Sequence, residues 1–140
     1  MRPALLAALA VAAITAGCGA VNRINIEATD PGVGKTLFNG QGKCASCHTL
    51  ADAKAQGQIG PNLDDAFGPD KAQGFHISTL ADVVRGQIAY PDTDTGTGAP
   101  GMTANLLHGQ QARDVSVYVA MCAANPKCGV TAKPVGNTPG

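Results

Sequence analysis

Three segments of the chain space their apolar residues at helical intervals, and loops rich in Gly, Pro and Asp separate them. In the first, Val33, Leu37 and Phe38 share one side of a helix. Asp30 stands where a cap is needed, Pro31 suits the first helical position, and Gly40 supplies a stop. The second, "ISTLADVVRGQIAY", carries a stripe of Leu80, Val83, Val84 and Ile88 and ends at Pro91. Thr79 and Asp82 fit a variant of the capping box at its start. The third, "GQQARDVSVYVAMCAANP", puts Val115, Tyr118, Val119 and Cys122 on one face, with Pro126 as terminator. No stretch alternates apolar and polar residues as a half-buried strand would. The pattern predicts an all-α fold of three main helices joined by long loops. Loops of that length in so small a domain call for something to wrap around.

The start of the chain follows a different pattern. One early charge, Arg2, precedes an apolar run from Ala4 to Ala16. That run falls short of the roughly 20 residues a membrane span needs. It suits a secretory signal, whose apolar region is about 7–15 residues. "TAGC" at Thr15–Cys18 resembles the lipobox of bacterial lipoproteins. The resemblance implies a diacylglycerol on the Cys18 sulfur, which becomes the mature N-terminus; acyl chains contribute about 0.8 kcal/mol per buried methylene to holding a membrane. Thr15 stands where the lipobox usually has Leu. The chain therefore divides into a signal over 1–17, a tether over 18–30, a folded domain over 31–128 and a tail over 129–140. The tail, "GVTAKPVGNTPG", is predicted to be disordered. The protein is expected outside the cytoplasm, lipid-anchored at the outer face of the cytoplasmic membrane or in the periplasm.

Composition narrows the function. With 140 residues the chain is one domain with appendages, and three Phe, two Tyr and no Trp make its core short of large side chains. A bound cofactor, metal or disulfide commonly compensates for so modest a core. The formal net charge is zero, which argues against a nucleic-acid partner and leaves no strong field to steer others. Five cysteines are many for a reducing compartment: Cys18, Cys44, Cys47, Cys122 and Cys128.

The chemistry concentrates in "KCASCHTL", where Cys44, Cys47 and His48 lie within five residues. Zinc would want a second close pair of ligands. The other cysteines lie far along the chain, and His76 and His108 are isolated. A redox dithiol would sit beside a βαβ pattern, which is missing, and would leave His48 unexplained. Cys-x-x-Cys-His is the attachment signature of c-type haem. On one helical turn, residues three and four apart share a side. Cys44 and Cys47 can then reach one haem edge while His48 is carried to the iron.

From Gly34 to Ala123 the chain resembles the class I cytochromes c. Gly34 with Leu37 and Phe38 looks like that family's first helix, and "GPNL" at Gly60–Leu63 like the loop after its haem motif. "VVRGQI" at Val83–Ile88 resembles the middle helix, and "APGM" at Ala99–Met102 the segment before the last. Tyr118 sits where the family's last helix packs an aromatic on the first, near Gly34. The resemblance implies one covalently bound haem c, on Cys44 and Cys47, with His48 and Met102 as iron ligands. It also implies that the Pro61 carbonyl accepts the His48 proton. Thr103 follows Met102 where the family often has Pro, and Pro100 precedes it. Met121, inside the third helix, is the rival sulfur and suits core filling; His108 suits a helix entry and His76 a loop.

His/Met ligation raises the reduction potential and leaves no open position at iron. The expectation is a single-electron carrier and not an enzyme. Its partners would be redox proteins: a respiratory or photosynthetic complex, or an exported dehydrogenase. The alternative is a haem sensor or peroxidase-like enzyme whose Met102 can be displaced. Lys43, Lys54 and Asp52 are candidates for the rim of the exposed haem edge. Cys122 and Cys128 bracket "AANPK" and are expected to pair in an oxidising compartment.

Overall fold

The computed structural model describes residues 23–94 and 98–136. Four α-helices dominate: α1 (Pro31–Asn39), α2 (Leu63–Ala72), α3 (Ile77–Ala89) and α4 (Gly109–Cys122). A small antiparallel hairpin pairs β1 (Thr49–Leu50) with β2 (Ala55–Gln56), in the register Thr49 to Gln56 and Leu50 to Ala55. The all-α reading holds, with one helix more than the apolar spacing predicts. The unforeseen helix is α2, whose interior Gly68 and Pro69 read as breakers. It forms because Asn62 caps it by accepting from Asp64 N at 3.0 Å, and because Asp64 and Asp65 sit in its first turn.

The end of α1 follows the sequence: the Asp30 carboxylate accepts from Gly32 N and Val33 N, Pro31 opens the helix, and Gly40 closes it. The start of α3 does not. His76 is its cap and makes no side-chain cap bond, so Thr79 and Asp82 form no capping box. Asp82 instead accepts from Ile24 N at 3.3 Å and pairs with Arg85 at 3.0 Å. The α3 stripe is also rotated. Leu80, Ala81 and Ile88 are buried, whereas Val83 is half exposed.

α4 is the axis of the domain and lies against both α1 and α3. That is why burial runs unbroken from Asp114 to Ala120 and is not confined to one stripe. Its Val115, Tyr118, Val119 and Cys122 join Leu37, Phe38, Leu50, Ile88 and Leu107 in the main core. Val117 and Ala120, on the other side, pack with Ile24, Leu80 and Ala81. Where α1 crosses α4, Gly34 lies against the Asp114 carbonyl, and a Cβ there would sit 2.8 Å from Tyr118 Cβ. Only glycine permits this approach, and it lets Phe38 and Tyr118 meet edge to face with centroids 5.9 Å apart. Such a pair contributes about 0.5–1.5 kcal/mol beyond its buried area.

Both ends of the described chain differ from the sequence reading. In the expected tether over 18–30, Ile24 is buried and a 3-10 turn covers Ile26–Ala28. In the expected disordered tail over 129–140, residues 130–133 lie along α1. Lys35 donates to Val130 O at 3.0 Å, Thr36 Oγ1 to Lys133 O at 2.6 Å, and Lys133 N to Gly32 O at 3.0 Å. The composition of the tail hid backbone partners that only the tertiary fold brings up. Cys122 and Cys128 are joined by a disulfide that anchors this segment to the end of α4. The expected signal over 1–17 and the expected lipidation site Cys18 lie outside the described residues. Among the described residues, no helix is long and apolar enough to cross a membrane.

Candidate functional site

The haem-type motif begins at Lys43, whose backbone is left-handed at φ 52° and turns the chain out of α1. A single 3-10 turn over Cys44–Ser46 follows. The Cys44 carbonyl accepts from both Cys47 N at 3.1 Å and His48 N at 2.9 Å. The turn thus holds two sulfurs and the imidazole on one tight bend, as i, i+3 and i+4 spacing requires. Both thiols are free and half-buried.

The following loop returns onto the motif. Gly60 N donates to Cys47 O at 2.7 Å, and Thr49 Oγ1 to Gly57 O at 2.9 Å. Gly60 lies flat against the imidazole: a Cβ there would be 2.5 Å from His48 Cε1 and 2.7 Å from Nδ1. At the next residue, the Pro61 carbonyl oxygen stands 2.9 Å from His48 Nδ1. A carbonyl can only accept, so Nδ1 is the donor and Nε2 is the nitrogen left to face a metal. That is the tautomer a metal ligand needs.

The two other readings of the motif find less. A reactive dithiol has a depressed thiol pKa. Burial, opposed in part by a backbone hydrogen bond, instead pushes Cys44 up to about 11. Among the described residues, Asp52, Cys122 and Cys128 bring their donor atoms close enough to share an ion, but the two sulfurs are bonded to each other. His76 and His108 are exposed and immediately precede α3 and α4.

Met102 is half-buried in the segment between α3 and α4 and packs against the main core. Met121 is half-buried within α4 and packs against both core clusters, as a space-filling side chain does. Ile59, next to the Gly60–Pro61 turn, is 54 % exposed. Asp52 departs from its reading as a rim residue: its carboxylate is nearly covered and pairs with Lys35 at 2.9 Å. Asp64 was not foreseen at the site. Its two oxygens accept from Ala51 N at 2.8 Å and Ala124 N at 2.7 Å, tying the motif loop to the end of α4. A carboxylate after a capping Asn looks in sequence like an ordinary first-turn residue.

Residues 33–122 match the family model described as cytochrome c. The chain belongs to the cytochrome c family. In structure it is similar to the c-type cytochrome SorU from Sinorhizobium meliloti, with a TM-score of 0.51 and 26 % sequence identity. That match covers 74 % of this chain and 95 % of SorU. No curated protein sequence matches the chain. Membership makes this cytochrome an electron-transfer protein with a covalently bound haem c, and its Cys44-Ala-Ser-Cys47-His48 run fits the attachment motif. The chain's donor set fits the group: two free thiols and an imidazole whose Nδ1 is already engaged by a carbonyl.

Proposed function

We propose that this cytochrome is a single-electron carrier tethered to a membrane by a lipid on Cys18. Cys44 and Cys47 would hold the haem through thioether bonds, and His48 and Met102 would ligate its iron. The observation that carries the reading is the hydrogen bond from His48 Nδ1 to the Pro61 carbonyl, which fixes both the tautomer and the ring plane. Bound there, the haem supplies a one-electron couple whose potential a thioether ligand raises. Two protein ligands leave no place for oxygen or peroxide, so the chain transfers electrons without catalysing a reaction of its own.

Each residue has a distinct task. Gly60 lets the loop lie against the imidazole, and Pro61 accepts its proton. The Cys44–Ser46 turn carries the two cysteines on one tight bend. Met102, packed on the main core from its loop, supplies the soft ligand. The partners are redox proteins on the outer face of the cytoplasmic membrane or in the periplasm: a respiratory or photosynthetic complex, or an exported dehydrogenase.

The test is the ligand state of protein matured with a haem-attachment system. The ferric Met–iron absorption band should be present in the wild type and lost in Met102→Ala, and the ferrous wild type should not bind carbon monoxide. Ready carbon monoxide binding by the wild type would contradict the carrier and favour a sensor or peroxidase-like enzyme.

A further inference from the structure

A charged pair includes Asp52, four residues past the haem motif, and electron transfer as described above does not use it. Asp52 occupies the 3-10 turn Ala51–Ala53, four residues after His48 on the loop that ends at Pro61. Its carboxylate is 6 % exposed, and a single oxygen, Oδ2, meets two donors. Lys35 Nζ of α1 stands 2.9 Å away, and Tyr118 Oη of α4 donates at 2.8 Å. Lys35 also donates to Val130 O and lies 6.0 Å from the centre of the Tyr118 ring.

These contacts join three parts of the chain at one buried atom. A buried pair of this kind is seldom the cheapest way to fill a core, because both charges lose their water. It does place a fixed dipole beside the loop. Four residues of chain span at most about 14 Å, so Asp52 lies within that reach of His48. Charges kept from solvent are screened far less than exposed ones over such a distance. A negative charge near the metal stabilises the ferric state, and a positive one the ferrous state.

We propose that Lys35 and Asp52 act as a positioning pair whose mutual neutralisation keeps either charge from shifting the reduction potential of the haem iron, and which holds the loop that carries His48. The inference rests on the reading of His48 as an iron ligand. The pair is balanced in the native protein, and breaking it from either side unbalances it in opposite directions. Lys35→Met leaves the carboxylate without its counter-charge and favours the ferric state. Asp52→Asn keeps the shape and leaves the ammonium alone, favouring the ferrous state.

The test is potentiometric titration of the haem-loaded full chain at pH 8, beside thermal unfolding. Lys35→Met should lower the midpoint potential and Asp52→Asn should raise it. The double variant should return toward the wild type, and Lys35→Arg, which keeps the charge, should match it. A purely structural pair would lower the unfolding temperature in both single variants and leave the potentials in place. Unmoved potentials, or shifts of the same sign, in variants with an unchanged ligand spectrum would overturn this inference alone. A wild type without covalent haem would overturn the reading beneath it as well.

Discussion

His48 Nδ1 lies 2.9 Å from the Pro61 carbonyl oxygen, thirteen residues further along the chain. Two glycines make that closure possible. Gly57 passes against the Cys47 carbonyl carbon, and Gly60 against the imidazole itself. The loop from His48 to Pro61 is tied down by Thr49 on Gly57 O, by Asp52 on Lys35 of α1 and by Asp64 of α2 on Ala51 N, so the orientation of the ring depends on α1 and α2 as well as on the loop itself.

Gly60→Ala tests that closure directly. The new methyl would sit 2.5 Å from His48 Cε1, and either the ring or the loop must move. Overpacking of this kind costs about 1–3 kcal/mol. The variant should unfold at lower temperature and show a changed axial-ligand spectrum, as a displaced imidazole requires. An unchanged melting curve and spectrum would show that the loop yields freely.

Tyr118 gives the protein an alkaline limit. Burial first, and then the Asp52 carboxylate that accepts its proton, push the hydroxyl far above its ordinary value of 10.0. The folded protein therefore keeps this proton after the unfolded chain has lost it. The contribution is fully present below about pH 10, and stability falls as the pH rises past that point. Tyr118→Phe should lose about 1–2 kcal/mol at neutral pH through the missing bond to a charged acceptor. Its stability should then decline less steeply above about pH 10 than that of the wild type. Urea unfolding at a series of pH values measures both.

The Cys122–Cys128 bridge closes a short loop at the end of α4. On the chain-entropy model such a loop contributes about 2 kcal/mol. The double variant Cys122→Ala, Cys128→Ala should lose that much in urea unfolding while its visible spectrum stays the same. Residues 130–133, which lie on α1 beyond the bridge, should become more accessible to limited proteolysis. A wild-type digestion pattern would contradict the anchoring role.

Much of this was legible in the sequence, for local reasons. The α1 cap and stop and the start of α4 follow from residues whose roles are set by neighbours or by helical period, although α4 ends at Cys122, short of Pro126; the approach of Tyr118 to Gly34 follows from the family resemblance. The elements that escaped depend on contacts made at long range. α2 contains Gly68 and Pro69 and is secured by Asn62 and by Lys71, which donates to Met121 O and Ala123 O of the α4 terminus. The two strands are too short for any alternation to show. Asp52 looks like a surface residue until Lys35 and Tyr118 arrive from α1 and α4. Asp82 has the spacing of a cap, yet its acceptor is used by Ile24 and Arg85. The tail is polar and Gly-rich, and still finds a row of donors and acceptors on α1.

The most direct test is the mass of the tryptic peptide that contains Cys44, Cys47 and His48, taken from protein matured with a haem-attachment system. The expected result is one haem added to that peptide through both sulfurs, with the red colour retained after acidified acetone. Pigment that the solvent extracts, or a peptide at its unmodified mass, would contradict the account.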